Sequence, residues 1–282
     1  GLYKNKKEIM KRLPNYSLLW VSFIVFLCTG CNPASQFSVS SPDGNLCLHV
    51  ETENGKLYYE LSRNGKPILD KSRLGFILKE DTLAGHLEIT EALHHSFSGT
   101  WEQIWGEDRI VENNYHEMTI RVQKTSTPKR KFNVVFRLFN DGFGFRYEFP
   151  EQEALKDFVI MDELTEFALT GDHKAWSIPY EAHFYEALYE ASPVSKLGWV
   201  STPLTMETND GLFLSIHEAN LTDYAAMNLI PKEGSMTLKA NLTPWSTGEK
   251  VFMKAPGVTP WRTMIVAENA GDLLLSRLML NL

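Results

Sequence analysis

Three short turn signals divide the first part of the chain at regular intervals: Asp43-Gly44, Asn54-Gly55 and Asn64-Gly65. The segments between them, such as "LCLHV" and "LYYEL", alternate apolar and polar side chains. Asn-Gly and Asp-Gly readily adopt the positive φ angles of a tight hairpin loop, and the alternation has the period of a half-buried strand. The sequence therefore predicts a meander of antiparallel strands from Phe37 onward.

The strand pattern continues through most of the chain. An Asn140-Asp141-Gly142 turn joins "FNVVFRLF" to "FGFRYEF", which is a strong hairpin signal. The last segment, 267–282, is the main exception, and it predicts one helix or a helix that runs into a strand. Many short strands with few helical periods predict an all-β fold, namely an antiparallel two-sheet β-sandwich with few short helices. Residues 32–282 form one domain in this interpretation.

The N-terminal residues have the organisation of an export signal. Met10-Lys11-Arg12 precedes an apolar run at 18–27, and Thr29-Gly30-Cys31 follows it. A basic region, a short apolar core and small residues at the end are typical of a secretory signal peptide. The apolar run is shorter than the about 20 residues of a membrane span. We assign 10–31 to the signal and 1–9 to an upstream extension.

Cys31 ends a motif that resembles a bacterial lipobox, in which the cysteine is acylated. The motif departs from the usual pattern, because Leu27 lies four residues before Cys31 rather than three. Simple cleavage without a lipid therefore stays an alternative. We expect an exported protein, either periplasmic or anchored to the outer membrane as a lipoprotein, that touches a membrane only through an N-terminal lipid.

The formal net charge of the chain is −7. A nucleic-acid-binding surface requires clustered Lys and Arg, so this balance argues against a nucleic-acid partner. Neutral or cationic ligands suit an acidic exported protein, and neutral sugars are among them.

The segment "YEAHFYEALYEA" places Glu181, Glu186 and Glu190 close together. If it were helical, Glu186 and Glu190 would lie on one face with Cβ atoms about 5–6 Å apart. Three interpretations are open: a solvated acidic turn, a Ca²⁺ site in which the ion removes the repulsion between carboxylates, or a sugar-binding surface of aromatic rings and carboxylates.

Three other groups of residues are weaker candidates. Trp101, Trp105 and Glu107 could line a groove, although a buried core position is more common for a tryptophan. His217, Glu218 and Asp223 lie close in sequence, as acid–base groups in a catalytic site often do. The pair at 94–95 consists of histidines without a partner at metal-binding spacing, and we expect both at the surface.

Several segments together resemble glycoside hydrolase family 97, over about residues 40–282 and in the family's order. The segments are "SPDGNL", "WGE", "FRLFNDGFGFRYEFP", "GDHKAWSIP", "IHEANLTDY", "TPWRTMIV" and "LLSRLMLNL". The resemblance implies a galactose-mutarotase-like supersandwich that is followed in the family by a catalytic (β/α)₈ barrel and a small β-domain. It implies an enzyme that cleaves α-linked galactosides or glucosides, and short segments around 80–100 and 185–205 favour the α-galactosidase branch.

The resemblance also implies an active-site Ca²⁺ to which the N-terminal domain contributes one glutamate. That glutamate follows the Ile-Pro of "GDHKAWSIP" by seven residues, and the count leads from Pro179 to Glu186. Both catalytic carboxylates and the other Ca²⁺ ligands lie on the family's barrel, so no catalytic residue is expected in this chain. We expect residues 32–282 to complete the barrel's active site and to be inactive alone. The alternative is a stand-alone, non-catalytic lipoprotein that binds glycans at the cell surface.

Overall fold

The computed structural model describes residues 35–182, 184 and 186–282. The predicted upstream extension, the signal peptide and Cys31 therefore lie outside the described residues. Within the described part, no helix has the length and the apolar composition that crossing a bilayer requires.

Strands make up most of the described residues. In chain order they are β1 (Ser38–Ser40), β2 (Leu46–Glu53), β3 (Lys56–Arg63), β4 (Lys66–Leu74), β5 (Phe76–Leu78), β6 (Thr82–Leu83), β7 (Leu87–Glu102), β8 (Ile110–Lys124), β9 (Lys131–Phe139), β10 (Gly142–Phe149), β11 (Asp157–Glu163), β12 (Glu166–Leu169), β13 (Lys174–Ser177), β14 (Glu190–Pro193), β15 (Val200–Ser201), β16 (Leu204–Glu207), β17 (Phe213–Ala219), β18 (Met227–Pro231), β19 (Thr237–Leu242), β20 (Val251–Lys254), β21 (Gly257–Val258) and β22 (Trp261–Ala267).

The strands form two large sheets and one small sheet. The eight-stranded sheet has the order β1-β2-β3-β4-β12-β19-β18-β15. The ten-stranded sheet has the order β14-β13-β16-β17-β22-β10-β9-β8-β7, with β21 paired to β10. The four-stranded sheet has the order β20-β11-β5-β6. This arrangement confirms the predicted all-β sandwich.

The two large sheets face each other across an aromatic core. Tyr59 on β3 contacts Phe145 on β10 with ring centroids 5.2 Å apart, and Phe136 on β9 lies 6.0 Å from the same tyrosine. The small sheet joins this core through Phe76, whose ring lies 4.5 Å from that of Tyr147. One continuous cluster of buried apolar side chains therefore links all three sheets.

The predicted turns lie where the sequence placed them. Asn54 and Gly55 have φ angles of 52° and 71°, and Asn64 and Gly65 have 51° and 75°. Both pairs have the positive φ angles of the type I′ turn that connects twisted antiparallel strands. The turn residues thus set the β2–β3 and β3–β4 hairpins.

The C-terminal segment differs from both alternatives that the sequence offered. Helix α1 (Ala270–Leu275) starts at Asn269, whose side chain accepts a hydrogen bond from the backbone N–H of Asp272 at 3.2 Å. A short 3₁₀ helix, Leu278–Asn281, follows it instead of further α-helix or a strand. The segment is held by packing on the ten-stranded sheet, which the local pattern does not encode.

Candidate functional site

Glu186 lies in the loop that connects β13 to β14. The two strands pair so that Ser177 is opposite Glu190, which closes the loop at its base. Residues 186–189 have no regular structure, and Glu190 is the first residue of β14. The helical arrangement considered for Glu186 and Glu190 is therefore wrong, because the antiparallel pairing of β13 and β14 imposes an extended backbone at Glu190.

The base of this loop is anchored while its acidic part is exposed. The backbone N–H of Tyr180 donates to the carbonyl of Trp199 at 2.9 Å, and the two rings lie 5.9 Å apart. The Tyr180 hydroxyl also lies 3.2 Å from Oγ1 of Thr243. Glu181, Glu186 and Glu190 are all exposed. The loop thus projects its carboxylates from a fixed base.

The described residues do not build a complete metal site around Glu186. No group of three or more His, Cys, Asp or Glu side chains in the described part is arranged to hold a metal ion. Glu186 makes no ion pair with any other described residue. Ca²⁺ takes six to eight oxygen ligands, and carboxylates are among those it prefers. A single exposed carboxylate can supply only one or two of those oxygens.

A second group of carboxylates lies inside the sandwich around Arg262. The guanidinium of Arg262 donates to both carboxylate oxygens of Glu163, from Nε at 2.8 Å and from Nη2 at 2.7 Å. Its Nη1 donates to Oε2 of Glu218 at 2.7 Å. The side chains of Arg262 and Glu163 are fully buried, and that of Glu218 is nearly so. Sequence reasoning missed this cluster, although "TPWRTMIV" contains its arginine.

The remaining hydrogen-bonding positions of the buried cluster are also filled. Glu163 accepts from Oγ1 of Thr165 at 2.8 Å and from the Tyr224 hydroxyl at 3.0 Å. Glu218 accepts from the backbone N–H of Met227 at 3.0 Å. Buried charges are stable only when they are paired and hydrogen-bonded, and this cluster meets both conditions.

The pKa values of the two buried carboxyl groups are shifted in opposite directions. Burial acts to raise the pKa of Glu163, but the charge of Arg262 and its hydrogen bonds outweigh burial and hold that pKa below its ordinary value. Burial raises the pKa of Glu218 above its ordinary value, against the attraction of Arg262. The cluster therefore secures the ends of β11, β17 and β22 and leaves no carboxylate available for a substrate.

The other predicted candidates are not brought together. His217 and Glu218 are consecutive on β17, so their side chains point to opposite faces of the sheet, and Asp223 is exposed in the following loop. Trp101 and Trp105 lie at the tip of the β7–β8 hairpin with 36% and 86% of their surfaces exposed, so the core interpretation is wrong for both. Glu107 is exposed beside them. The histidines at 94–95 are exposed, as predicted.

Known proteins resemble this chain in sequence and in fold. A retaining α-galactosidase from Bacteroides thetaiotaomicron is 27% identical over 236 residues, which are 78% of this chain and 34% of that protein. A probable retaining α-galactosidase from Streptomyces bingchenggensis is 25% identical over 84% of this chain and 36% of its own length. A glycoside hydrolase family 97 enzyme from Pseudoalteromonas sp. strain K8, solved with acarbose, superposes with a TM-score of 0.83 at 37% identity and covers 86% of this chain and 37% of that one.

The chain thus spans 34% and 36% of the length of the two curated relatives. The family model described as glycosyl-hydrolase 97 N-terminal matches residues 39–282, which include all three sheets and the loop of Glu186. This chain belongs to glycoside hydrolase family 97 and carries the family's N-terminal domain.

Proposed function

We propose that this chain supplies the N-terminal β-sandwich domain of a Ca²⁺-dependent, exo-acting α-glycosidase that degrades glycans. The match of the family's N-terminal domain to residues 39–282 carries this proposal. In it, the domain packs on a C-terminal (β/α)₈ barrel of the same polypeptide and completes the barrel's active site. The lengths of the relatives support a longer polypeptide, because this chain spans 34% of one and 37% of another.

The proposed substrates are α-linked galactosides or glucosides. Both curated relatives carry names of retaining α-galactosidases, which favours galactosides. The more identical Pseudoalteromonas enzyme was solved with acarbose, a gluco-configured oligosaccharide, which keeps glucosides in the proposal.

Glu186 is the proposed contribution of this domain to the Ca²⁺ site. Its carboxylate is exposed on an anchored loop and has the hard oxygen donors that Ca²⁺ binds. When bound, the ion would fix the position of this loop against the barrel. The remaining ligands would come from the barrel, since one carboxylate cannot supply six to eight oxygens.

The catalytic carboxylates are proposed to lie on the barrel, so this chain alone should be inactive. Glycoside hydrolysis requires one carboxylate on each side of the scissile bond. In the described part of the chain, the carboxylates of Glu163 and Glu218 are buried and are both bound to Arg262. They cannot approach a sugar without breaking a buried network.

We further propose export through the signal at 10–31, with acylation of Cys31 as the anchor. Mass spectrometry of the native N-terminal peptide tests this directly, because acyl chains on Cys31 add a characteristic mass. An unmodified N-terminus at residue 31 or 32 would mean simple cleavage.

The decisive experiment for the main proposal is the intact mass and activity of the native gene product. We expect a mass well above the 32.2 kDa of this chain and hydrolysis of p-nitrophenyl α-galactoside or α-glucoside. Activity should fall after EDTA treatment and return with Ca²⁺. The purified chain of 282 residues should hydrolyse neither substrate. Turnover by that chain, or a native mass no larger than 32.2 kDa, contradicts the proposal.

A stand-alone glycan-binding protein is the second candidate, and one feature favours it. Trp245 and Phe252 are both exposed, and their ring centroids lie 6.4 Å apart beside a cavity of about 780 Å³. Exposed aromatic rings beside a cavity suit stacking on the apolar face of a sugar. Calorimetric titration of this chain with galactose and maltose at millimolar concentration tests it, and an absence of binding removes this candidate.

A further inference from the structure

We propose that the cleft between the β17–β18 loop and the β19–β20 loop is a saccharide-binding site of this domain. In this site, Trp245 stacks on the apolar face of a neutral pyranose, and Asp223 accepts hydrogen bonds from the hydroxyl groups of the sugar. Every residue of the site belongs to this chain, so the site does not depend on a barrel that follows residue 282. A longer glycosidase and a stand-alone protein would both carry it.

Two exposed aromatic rings form the walls of the cleft. Trp245 and Phe252 are 62% and 60% exposed, and their ring planes are inclined by 63° with centroids 6.4 Å apart. The cavity beside them has a volume of about 780 Å³, which lies within the range of about 300–1,000 Å³ that is usual for ligand pockets. One ring can therefore lie flat on a sugar while the other bounds the edge of that sugar.

Backbone hydrogen bonds hold the two loops together and fix the position of Trp245. The N–H of Thr243 donates to the Ala226 carbonyl at 3.0 Å, which joins the start of the β19–β20 loop to the end of the β17–β18 loop. Within the β19–β20 loop, the N–H of Trp245 donates to the Glu249 carbonyl at 2.8 Å, and the N–H of Gly248 donates to the Trp245 carbonyl at 2.9 Å. The tryptophan thus projects from a closed turn, and a fixed backbone reduces the entropy that is lost when a ligand binds.

Tyr224 forms the floor of the cleft, and the buried cluster around Arg262 holds it in place. The tyrosine lines the cavity, while its hydroxyl donates to Oε2 of Glu163 at 3.0 Å. The guanidinium of Arg262 lies 5.5 Å from the centre of the same ring. Burial raises the pKa of Tyr224 well above its ordinary value, so the hydroxyl stays protonated and keeps this hydrogen bond. The floor is therefore in position before a ligand binds.

Asp223 supplies a carboxylate that has no counter-charge among the described residues. Its side chain is exposed and lines the same cavity. Its φ angle of 48° lies in the left-handed region, which Asp and Asn adopt more readily than most residues. An ionised carboxylate accepts hydrogen bonds at both oxygens, so Asp223 can bind two neighbouring hydroxyl groups of one sugar ring.

The charges around the cleft favour a neutral ligand. Lys250 lines the cavity, but its Nζ is paired with Asp162 at 3.4 Å. An anionic ligand would be repelled by the carboxylate of Asp223. A cationic ligand would meet the ring of Tyr224, which already contacts the cation of Arg262. A pyranose carries no charge, and it offers an apolar face to the aromatic rings and hydroxyl groups to the carboxylate.

NMR titration of the purified chain of 282 residues with methyl α-galactopyranoside and with maltose tests the site. The chain contains seven tryptophans, and the Trp245→Ala variant identifies which indole N–H signal belongs to Trp245. That signal should shift most as either sugar is added. We expect a dissociation constant in the millimolar range, because the ligand is small and the cleft is open to solvent.

Two variants and a matched control separate the cleft from the rest of the domain. Asp223→Asn should weaken sugar binding by about tenfold, because hydrogen bonds to a charged group are stronger than neutral ones. Asparagine also tolerates the φ angle at this position, so the loop is retained. Trp245→Ala should weaken binding by about tenfold through the loss of stacking. Trp105→Ala removes a tryptophan that is 86% exposed and lies outside the cleft, and it should leave the dissociation constant unchanged.

Three results would overturn the assignment. The first is the absence of any shift of the Trp245 signal at tens of millimolar sugar, and the second is sugar binding that Asp223→Asn and Trp245→Ala both leave unchanged. The third is binding of choline without binding of either sugar, which would mean that the rings accept a quaternary ammonium ion. Each of these results leaves the proposed glycosidase standing, because hydrolysis by the native product decides that proposal. A native mass no larger than 32.2 kDa, in contrast, removes the barrel and leaves the saccharide site in place.

Discussion

Glu163 and Glu218 lie inside the sandwich on either side of Arg262, whereas Glu186 and Glu190 lie exposed in and beside the β13–β14 loop. Each buried carboxylate has its cation and its hydrogen-bond donors within the domain. The exposed carboxylates have no cation among the other described residues. Carboxylates that are neutralised internally stabilise the fold, and carboxylates left without a counter-charge at an exposed loop are available to a partner.

The difference matters because the two groups look alike in sequence. "IHEANLTDY" and "YEALYEA" both combine acidic and aromatic residues, and both suggest a site. The buried group is neutralised by an arginine that lies 99 positions from Glu163. Substitutions that remove one carboxylate at a time separate the two roles.

The largest effect is expected from Glu163→Gln. This change leaves the buried Arg262 with Glu218 as its remaining carboxylate, and breaking a buried pair costs about 3–5 kcal/mol. Urea denaturation at neutral pH measures the loss in the free energy of unfolding. A loss no larger than that of an exposed glutamate variant such as Glu190→Gln would mean that the cluster does not stabilise the domain.

The pH dependence of the free energy of unfolding shows whether Glu163 stabilises the fold in its charged form. Because the pKa of Glu163 is lowered in the fold, its stabilisation is complete above the unfolded value of about 4.3 and is lost as the pH falls through the folded pKa. The wild type should therefore lose stability below about pH 4.3, and Glu163→Gln should lose less. An equal fall in the free energy of unfolding of the two proteins as the pH is lowered would contradict this.

Glu218→Gln should have a smaller effect of about 1–2 kcal/mol, because it exchanges one charge-assisted hydrogen bond for a neutral one. Its pH dependence should also have the opposite sign. Burial raises the pKa of Glu218, so the wild type loses stability relative to the variant as the pH rises from the unfolded value through the folded pKa. Denaturation at several pH values between 4 and 7 would measure this trend, and an unchanged difference would refute it.

Tyr224→Phe should cost about 1.5 kcal/mol, the lower end of the range for a hydrogen bond to a charged group. The Tyr224 hydroxyl donates to Oε2 of Glu163 at 3.0 Å, and Arg262 still holds that carboxylate after the change. Thermal unfolding measures the loss, with Tyr58→Phe on the charged face of the sandwich as the control. A loss near that of Glu163→Gln would mean that the tyrosine, rather than the arginine, governs the cluster.

Local signals explain which parts of the fold the sequence could predict. The hairpins of β2, β3 and β4 were predictable because Asn-Gly turns fix their geometry within a few residues. Strand β7 gave no such signal, since its outer half is exposed on both sides and does not alternate. The position of the 3₁₀ helix after α1 depends on the side of the ten-stranded sheet on which Met279 packs, and that surface is formed by strands far away in sequence.

The candidate site residues were also predictable only where a local signal exists. No local pattern pairs Glu163 with Arg262, because β11 and β22 belong to different sheets. Glu186 was singled out as the predicted Ca²⁺ ligand only through the family resemblance, and reasoning from a helical period gave the wrong arrangement for its neighbour Glu190. Sequence alone also favoured a core position for Trp101 and Trp105, because tryptophan side chains are on average highly buried. The structure exposes both at the tip of the hairpin.

The smallest effect on stability is expected from Glu186→Gln. An exposed side chain without a partner among the residues that the structure describes should change the free energy of unfolding by less than about 0.5 kcal/mol. In the proposed full-length enzyme, however, removal of this proposed anionic ligand should weaken Ca²⁺ binding by about tenfold or more. The same substitution should therefore have little effect on the stability of this domain and a large effect on Ca²⁺ binding by the proposed enzyme.

Calorimetric titration with Ca²⁺ after chelator treatment measures that loss, and Glu190→Gln is the matched control. Glu190 is exposed at the other end of the same loop, but its backbone is fixed in β14, opposite Ser177. If both variants bind Ca²⁺ like the wild type, Glu186 is not a ligand. If both weaken binding equally, the loop acts through its overall negative charge, and a single coordinating residue is the wrong description. If only Glu186→Gln weakens Ca²⁺ binding, the exposed carboxylate of Glu186 is a metal ligand. The buried carboxylates of Glu163 and Glu218 then differ from it in role as well as in position.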